Sequence, residues 1–358
     1  MGATHDSRDI EVLEGLEPIR RRPGMYVGDV RDSRVLSVCV LESVRTLIHV
    51  GASRLIVTIE DDVTFEIVGE DALLSTETRF VEAVFASMLC GCQCIHTRRP
   101  MVAECNPALT NALSASFEVE VVGEGARTRV RWLQGRLDGS ETVDATGAPP
   151  VARVRGVLDR QIFGEHAALV THELDVLLDD LAVLAAGVRF HRRDARDGST
   201  REHHAPGGLT DRVATRGVHD PLRLRNEQED GGVLELALGW AGDGPAHVDA
   251  WSAGWRGATP AVLGEALLAA LGEVLLPPRI PFERGPHAAL SANLARGLVA
   301  ALAVDTPATA KSPVGPPSAE TLKPALGLYL LARPALLAEL AQRIGDTPDA
   351  LSARLSTS

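Results

Sequence analysis

The chain has 358 residues, which is long enough for two domains that each bury a core of their own. Hydrophobic residues make up 45% and charged residues 23% of the sequence, and this balance excludes a wholly disordered chain. With 48 acidic and 36 basic residues the formal net charge is −12, which repels a phosphate backbone over most of the surface. We therefore expect no strong direct binding to DNA.

The sequence also predicts the compartment. Residues 1–6 contain no apolar core of a signal peptide, and the most apolar late stretch, around 326–340, is interrupted by Arg333 and Pro334. We expect a cytoplasmic, soluble protein with no membrane partner.

Five cysteines are present, and three of them are clustered at Cys90, Cys92 and Cys94. They are too close together for a normal disulfide framework, and their spacing differs from the usual C-x2-C of zinc sites. Only Cys39 and Cys105 remain to complete a metal site. We interpret all five as reduced thiols without metal, buried or half-buried, and the role of the cluster stays open.

Helices and strands alternate in the first half of the chain. Apolar residues at helical spacing predict helices at 35–50 and 77–89. Short β-branched and apolar runs between turn residues predict strands at 55–59, 63–68, 117–122 and 128–132. The Gly-, Thr- and Pro-rich stretch 139–150 predicts a domain junction, so the first domain would cover residues 1–150.

The second half repeats the alternation, and we assign residues 151–345 to a second domain followed by a tail at 346–358. Hairpins are predicted at 188–204 and 233–251. Helices are predicted at 171–186, at 260–275 and, around Pro324 and Pro334, at 322–344. A Pro- and Ser-rich loop at 306–317 precedes the last of them.

Residues 12–29 read VLEGLEPIRRRPGMYVGD and are very similar to the opening of the gyrase B protein, the ATPase subunit of DNA gyrase, and of its topoisomerase IV counterpart. The similarity continues more loosely along the chain. The helix that contains Glu42 follows at the expected distance, residues 111–114 resemble the helix after the ATP lid, and residues 295–302 resemble a transducer strand. Residues 308–311 fall where the family has its Gln-Thr-Lys loop.

The resemblance implies an α+β fold. The first domain would be the split α/β sandwich of the gyrase, chaperone, kinase and mismatch-repair ATPases, and the second a transducer α/β domain with a left-handed βαβ crossover. The chain would correspond to the N-terminal ATPase and transducer region without the DNA-cleavage domain. Because the family dimerises through its N-terminal arm, we expect a homodimer, or a heterodimer with a gyrase B-type subunit.

In the family, a glutamate on the first long helix activates water, and an asparagine one turn later supplies an oxygen to the metal ion. The i, i+4 spacing places both side chains on one helix face. Here Glu42 keeps the first position, whereas Thr46 replaces the asparagine and Arg45 an intervening aspartate. A hydroxyl is a poorer metal ligand, and a guanidinium adds positive charge where the cation would lie. We expect no metal ligand, and Glu42 is either a remnant base or a solvated residue on a surface helix.

The adenine position is also substituted. The family motif Asp-Asp-Gly-x-Gly uses a carboxylate to accept the adenine amino group, and Val68 stands there in this chain. Valine cannot accept a hydrogen bond, so the amine would be left unpaired at a cost of about 1 to 3 kcal/mol. A shifted register would place Glu70 or Asp71 near that position. A threonine that supports the nucleotide from a later strand appears as Ala152.

The phosphate lid departs furthest from the family. Its glycine-rich loop is replaced by PMVAECN at residues 100–106, and prolines remove backbone donors on either side. Glu104 would repel a polyphosphate, and Gln93 stands in about the place of the lid lysine. By contrast, Lys311 falls where the family's loop lysine reaches the γ-phosphate, and it is either functional or a solvated loop lysine.

Three functions follow from these substitutions. The first is a degenerate gyrase B-like pseudo-ATPase that acts through protein partners or dimerisation and has no cofactor. The second is a divergent ATP-hydrolysing subunit of a type II topoisomerase, with Glu42 as base, Lys311 on the γ-phosphate, and ATP and Mg²⁺ bound in a residually competent site. The third is a pocket reassigned to another ligand or reaction.

Overall fold

The structure, a computed structural model, describes residues 13–88, 99–253, 260–276, 292–305 and 318–356. The chain divides into two compact units. The first consists of Met1–Arg99 and Glu104–His204, and the second of Pro100–Ala103 and Ala205–Ser358.

The first unit is a layer of helices on one face of a mixed sheet. In chain order its described elements are α1 (Glu17–Arg21), α2 (Gly24–Val27), α3 (Arg34–His49), β1 (Arg54–Ile59), β2 (Thr64–Glu70), α4 (Thr78–Ala86), α5 (Pro107–Ala112), β3 (Ser114–Gly123), β4 (Ala126–Leu133), β5 (Arg136–Asp144), β6 (Val151–Leu158), α6 (Arg160–Phe163), α7 (Thr171–Leu184), β7 (Arg189–Asp194) and β8 (Thr200–His204).

The eight strands lie in the order β5-β4-β3-β6-β2-β1-β7-β8. β6 is antiparallel to both β2 and β3, and β1 is parallel to β7. The predicted domain boundary at residue 150 is therefore wrong, because the strands that follow it complete the first sheet. The predicted junction at 139–150 begins as a strand instead: Gln134 and Gly135 both have positive φ, the geometry of a tight hairpin turn that returns the chain from β4 into β5.

The two faces of this sheet differ in chemistry. Along β1 and β2 every second residue is buried beneath the helices, as alternation in a half-covered sheet requires. The face of the sheet that the helices cover is here called the helical face. It carries every Phe and Trp side chain of the eight strands, namely Phe65, Phe117, Trp132 and Phe190. The opposite face, here called the open face, carries mainly charged residues.

Helix α3 is buried on nearly all sides. Its apolar residues, from Val35 to Ile48, form part of the core, and Glu42 is also buried, with 8% of its surface exposed. The alternative that Glu42 is a solvated residue on a surface helix is therefore wrong. Neighbouring helices α5 and α7 pack against α3.

The second unit also combines helices with one sheet. Its described elements are α8 (Leu209–Ala214), β9 (Leu222–Glu227), β10 (Val233–Trp240), β11 (His247–Ala253), α9 (Pro260–Leu275), β12 (Leu298–Asp305), α10 (Ala319–Leu331), α11 (Pro334–Arg343) and α12 (Pro348–Ser356). The strand order is β11-β12-β10-β9.

Two predictions for this unit were wrong. β10 and β11 do not form a hairpin, because β12 lies between them and pairs with both, parallel to β11 and antiparallel to β10. The segment β11-α9-β12 is thus a βαβ unit. The predicted tail at 346–358 contains α12, whose Leu351 and Leu355 are buried in the core of the unit with the other leucines of α9, β12 and α10.

No single helix among the described residues is both long and apolar enough to cross a membrane. Helices α10 and α11 reach the required length and composition only when counted together, and the chain bends by 117° between them.

Candidate functional site

The carboxylate of Glu42 is the centre of the predicted site, and both of its oxygens have partners. Oε1 accepts a hydrogen bond from Arg45 Nη1 at 2.9 Å, one turn along the helix. Oε2 accepts from the backbone amide of Asn106 at 2.6 Å. Asn106 is the residue that precedes α5, so Glu42 ties the start of this helix to α3.

Thr46 lies one turn after Glu42 and is fully buried. Its hydroxyl donates to the carbonyl oxygen of Glu42 at 2.7 Å, a bond within the helix. The hydroxyl is thus directed to its own backbone. Across the described residues, no group of three or more His, Cys, Asp or Glu side chains is placed to hold a metal ion.

Val68 does not face α3, contrary to the prediction that it stands at the adenine position. It pairs in register with Ile56 and Arg153, and these residues share the open face. Its neighbour Gly69 points to the helices instead: a Cβ atom there would lie 3.2 Å from both Ala52 Cβ and Leu47 Cδ1. Leu47 of α3 therefore packs directly on the strand.

The register places Ala152 beside Gly69 on the helical face, and Ala152 is fully buried. The prediction that Ala152 occupies a nucleotide-site position is compatible with this placement, since the two residues are neighbours under α3. Neither has a polar side chain. This part of the sheet can offer a base only methyl, methylene and backbone surface.

The alternative acceptors of the shifted register lie elsewhere. Glu70 is on the open face, where its Oε1 is 3.2 Å from Arg54 Nη1. Asp71 follows the strand with a positive φ of 62° and accepts a hydrogen bond from the Ser53 hydroxyl. Neither carboxylate can replace an acceptor on the helical face.

Helix α5 is fixed to the helices around it by further side chains. Thr110 Oγ1 donates to the Cys39 carbonyl at 2.7 Å, and Asn111 Nδ2 donates to the Phe85 carbonyl at 2.9 Å. Pro107 occupies the first helical position, where a missing amide donor costs nothing. Asn106 and helix α5, which follow the substituted lid segment, are thus anchored to α3 and α4.

The cysteines differ from one another. Cys39 is a free thiol buried in α3, and burial, together with the nearby charge of Glu42, raises its pKa to about 12. Cys105 is disulfide-bonded, so the interpretation of all five cysteines as reduced thiols is wrong for this residue. The Cys90, Cys92 and Cys94 cluster lies outside the described residues, as do Gln93 and Lys311.

Three features of the site were not predicted from the sequence. The pairing of Arg45 with Glu42 could have been found, because opposite charges three residues apart on a helix are neighbours. Gly69 could have been found from the alternation of β2. The amide of Asn106 gives no sequence signal, since any residue except proline supplies one.

This architecture is also found in solved ATPase and ATP-binding domains of gyrase B and topoisomerase IV proteins. The 43K ATPase domain of Thermus thermophilus gyrase B, solved with an aminocoumarin, superposes with a TM-score of 0.70 over 95% of both chains at 18% identity. The topoisomerase IV ATP-binding domain of Francisella tularensis gives 0.64 over 96% of this chain and 99% of that one, at 17% identity. The predicted α+β fold of an ATPase-like domain and a transducer is confirmed.

The relatives found by sequence are DNA gyrase B proteins. The chain is 25% identical over 247 residues to the DNA gyrase B protein of Enterococcus faecalis and 28% identical over 257 residues to that of Synechocystis sp.. These alignments cover 63% and 65% of this chain but only 38% and 24% of the two relatives. No family model matches the chain. The chain is thus similar in sequence to part of the DNA gyrase B proteins, the family that residues 12–29 resemble.

Proposed function

We propose that the protein is a degenerate gyrase B-like protein that does not hydrolyse ATP and acts in the cytoplasm through protein partners. One observation carries this proposal: Arg45 and the amide of Asn106 engage both carboxylate oxygens of Glu42. A general base must lie within about 2.6 to 3.2 Å of the proton that it takes, or reach it through one water. A carboxylate held at both oxygens by fixed donors serves as a structural link between helices.

The floor beneath α3 supports the same proposal. The adjacent Gly69 and Ala152 offer no hydrogen-bond acceptor to an adenine amine, and Leu47 packs at 3.2 Å from the position of a Gly69 Cβ. An unpaired buried amine costs about 1 to 3 kcal/mol. A nucleotide would therefore lose this contact and would also have to displace a core leucine.

Isothermal titration with a non-hydrolysable ATP analogue and Mg²⁺ tests the proposal, with a gyrase B ATPase fragment as the positive control. We expect binding heat from the control alone. Micromolar binding by this chain would contradict the proposal. Slow ATP turnover that disappears in Glu42→Ala would assign the divergent ATPase instead.

We also propose dimerisation, with a second copy or with a gyrase B-type subunit, through helix α2. None of the residues of α2 is buried, and within it Met25 is 73% and Tyr26 38% exposed. Adjacent exposed apolar side chains favour a protein contact. These residues belong to the segment with the strongest family resemblance.

Multi-angle light scattering of the chain, alone and mixed with a gyrase B-type subunit, tests this interface. We expect a dimer that Met25→Asp dissociates. Leu73→Asp is the matched control, because Leu73 is 74% exposed at a different place in the same unit. A chain that stays monomeric in both experiments, or a dimer that both variants weaken equally, would contradict the proposal.

A further inference from the structure

Most charges on the open face of the first unit are balanced by neighbours. Arg129 contacts Glu118, Glu120 and Glu141 across three strands, at 2.6 to 3.5 Å. Arg153 likewise pairs with Glu66. These residues form a ladder of alternating sign over β5, β4, β3, β6 and β2, in which each arginine has a carboxylate partner.

The end of the face at β7 is different, and we call Arg54, Arg189, His191, Arg193 and His204 the basic patch. Within it, Arg189 and Arg193 are exposed, and neither forms an ion pair with any described residue. Arg54 Nη1 lies 3.2 Å from Glu70 Oε1, and His191 Nε2 lies 3.8 Å from Glu202 Oε2. The three arginines of the patch therefore outnumber the two carboxylates beside it, Glu70 and Glu202, in a chain whose formal net charge is −12.

The strand register brings like charges together in this patch. Arg54 of β1 pairs with Arg189 of β7. Like charges directly opposite one another on adjacent strands destabilise a sheet. An anionic partner would remove this repulsion, and nothing within the described residues does so beyond the contact of Arg54 with Glu70.

The spacing of the patch indicates the shape of that partner. Arg189, His191 and Arg193 alternate along β7, so they form a straight row with a repeat of about 6.7 Å. An extended peptide with acidic residues at alternate positions has the same repeat. A single-stranded nucleic acid fits less well, because its bases stack best on large aromatic rings, and every Phe and Trp side chain of the described first-unit strands points to the helical face.

We propose that the row Arg189, His191 and Arg193 on the open face binds an acidic, extended segment of a partner protein. The proposal rests on the proposed function, in which the protein acts through protein partners and not through ATP hydrolysis. It states the chemistry of one such partner. Its test involves no nucleotide, so a failure here leaves the titration with ATP analogues unaffected.

The test is the fluorescence anisotropy of a fluorescein-labelled 12-residue peptide of alternating glutamate and serine, titrated with the full chain. Measurements at about 100 mM salt keep the Debye length near 10 Å. We expect the double variant Arg189→Ala, Arg193→Ala to bind about fivefold to tenfold more weakly, as the loss of two exposed ion pairs implies. Circular dichroism establishes that each variant is folded.

The matched control is the double variant Arg127→Ala, Arg131→Ala. These arginines are exposed on β4, on the same face, and the charge change is identical. We expect binding within about twofold of the unmodified chain. If both double variants weaken peptide binding equally, the binding reflects non-specific electrostatic attraction and the proposal is overturned. The absence of peptide binding to the unmodified chain would overturn it as well.

Two further results would assign the patch to other occupants and also overturn the proposal. The first is tighter binding of a labelled single-stranded oligonucleotide that the Arg189 and Arg193 substitutions abolish. The second is self-association, measured by light scattering, that the same substitutions abolish.

Discussion

At the scale of single residues, Glu42 bridges two segments of the first unit. Its carboxylate accepts hydrogen bonds from the Arg45 guanidinium on the same helix and from the Asn106 amide that precedes α5. Arg45 Nε and Asn106 Oδ1 remain buried without a hydrogen-bond partner beside it. Glu42, Arg45 and Asn106 are therefore held together by one ion pair and one hydrogen bond from a backbone amide. Both contacts require a carboxylate that accepts at both oxygens.

Glu42→Gln should destabilise the fold. One oxygen becomes an amide nitrogen that faces a donor, either Arg45 or the Asn106 amide, and the loss should be about 1 to 3 kcal/mol. Urea unfolding followed by circular dichroism measures it. The control Glu165→Gln alters an exposed glutamate and should stay within about 0.5 kcal/mol. A Glu42→Gln protein as stable as the control would mean that the bridge contributes nothing.

Asp194, at the end of β7, is expected to give the fold a pH dependence. Its carboxylate accepts from Arg196 Nε at 2.9 Å and from Thr171 Oγ1 at 2.5 Å. The hydrogen bonds from Arg196 hold the pKa of Asp194 well below its usual range, against the opposing effect of burial. A lowered pKa in the folded state stabilises above the unfolded value of about 4, and this contribution is lost as the pH falls further.

Asp194→Asn should therefore cost about 1 to 3 kcal/mol at pH 7, and its difference from the unmodified chain should shrink below about pH 4. Thermal unfolding at a series of pH values measures this difference. Asp138→Asn, which changes an exposed aspartate, should show little difference at any pH. A penalty for Asp194→Asn that does not change with pH would contradict the assignment to ionisation.

At the scale of elements, β2 separates two neighbouring positions by the face on which they lie. Val68 is on the open face, whereas Gly69 is beneath α3. A nearby residue can thus resemble a family position in the linear sequence and still lie on the wrong side of the sheet, because a shift of one residue exchanges the two faces.

Gly69→Asp, which introduces a carboxylate beneath α3, should destabilise by at least about 2 kcal/mol and should not create nucleotide binding. Its Cβ would meet Leu47 and Ala52 at 3.2 Å, and a charge would be buried without a partner. Val68→Asp is the control, since it lies beside Arg153 on the open face and should cost less than about 1 kcal/mol. Thermal shift and titration with an ATP analogue measure both effects. Nucleotide binding by Gly69→Asp would mean that Leu47 can be displaced.

Local patterns predicted the elements well, and pairings distant in sequence were not accessible to them. The helix at 35–50 and the strand at 55–59 agree with α3 and β1 within a residue at each end. The position of β12 between β10 and β11 has no local signal, because the partner of a strand depends on the whole sheet. For the site, the loss of the family's polar nucleotide-binding side chains could be predicted from Thr46 and Ala152. The backbone amide that donates to Glu42 could not be predicted.

At the scale of the whole molecule, the division at residue 204 predicts which fragment folds by itself. A fragment of residues 1–204 contains all eight strands of the first sheet, whereas 1–150 lacks β6, β7 and β8, and the loss of β6 separates β2 from β3. We expect cooperative thermal unfolding by circular dichroism from the longer fragment and no cooperative transition from the shorter one. A cooperative 1–150 fragment would restore the boundary predicted from the sequence.

The parallel pairing of β1 with β7 also affects how the chain folds during synthesis. β1 can form a hairpin with β2 as soon as both are made, but its other edge has no partner until α7 and β7 have followed. Contacts so distant in sequence slow folding, and an unpaired strand edge is a site of aggregation. The nascent first unit should therefore depend on a chaperone, or on slow translation, over the interval between β2 and β7.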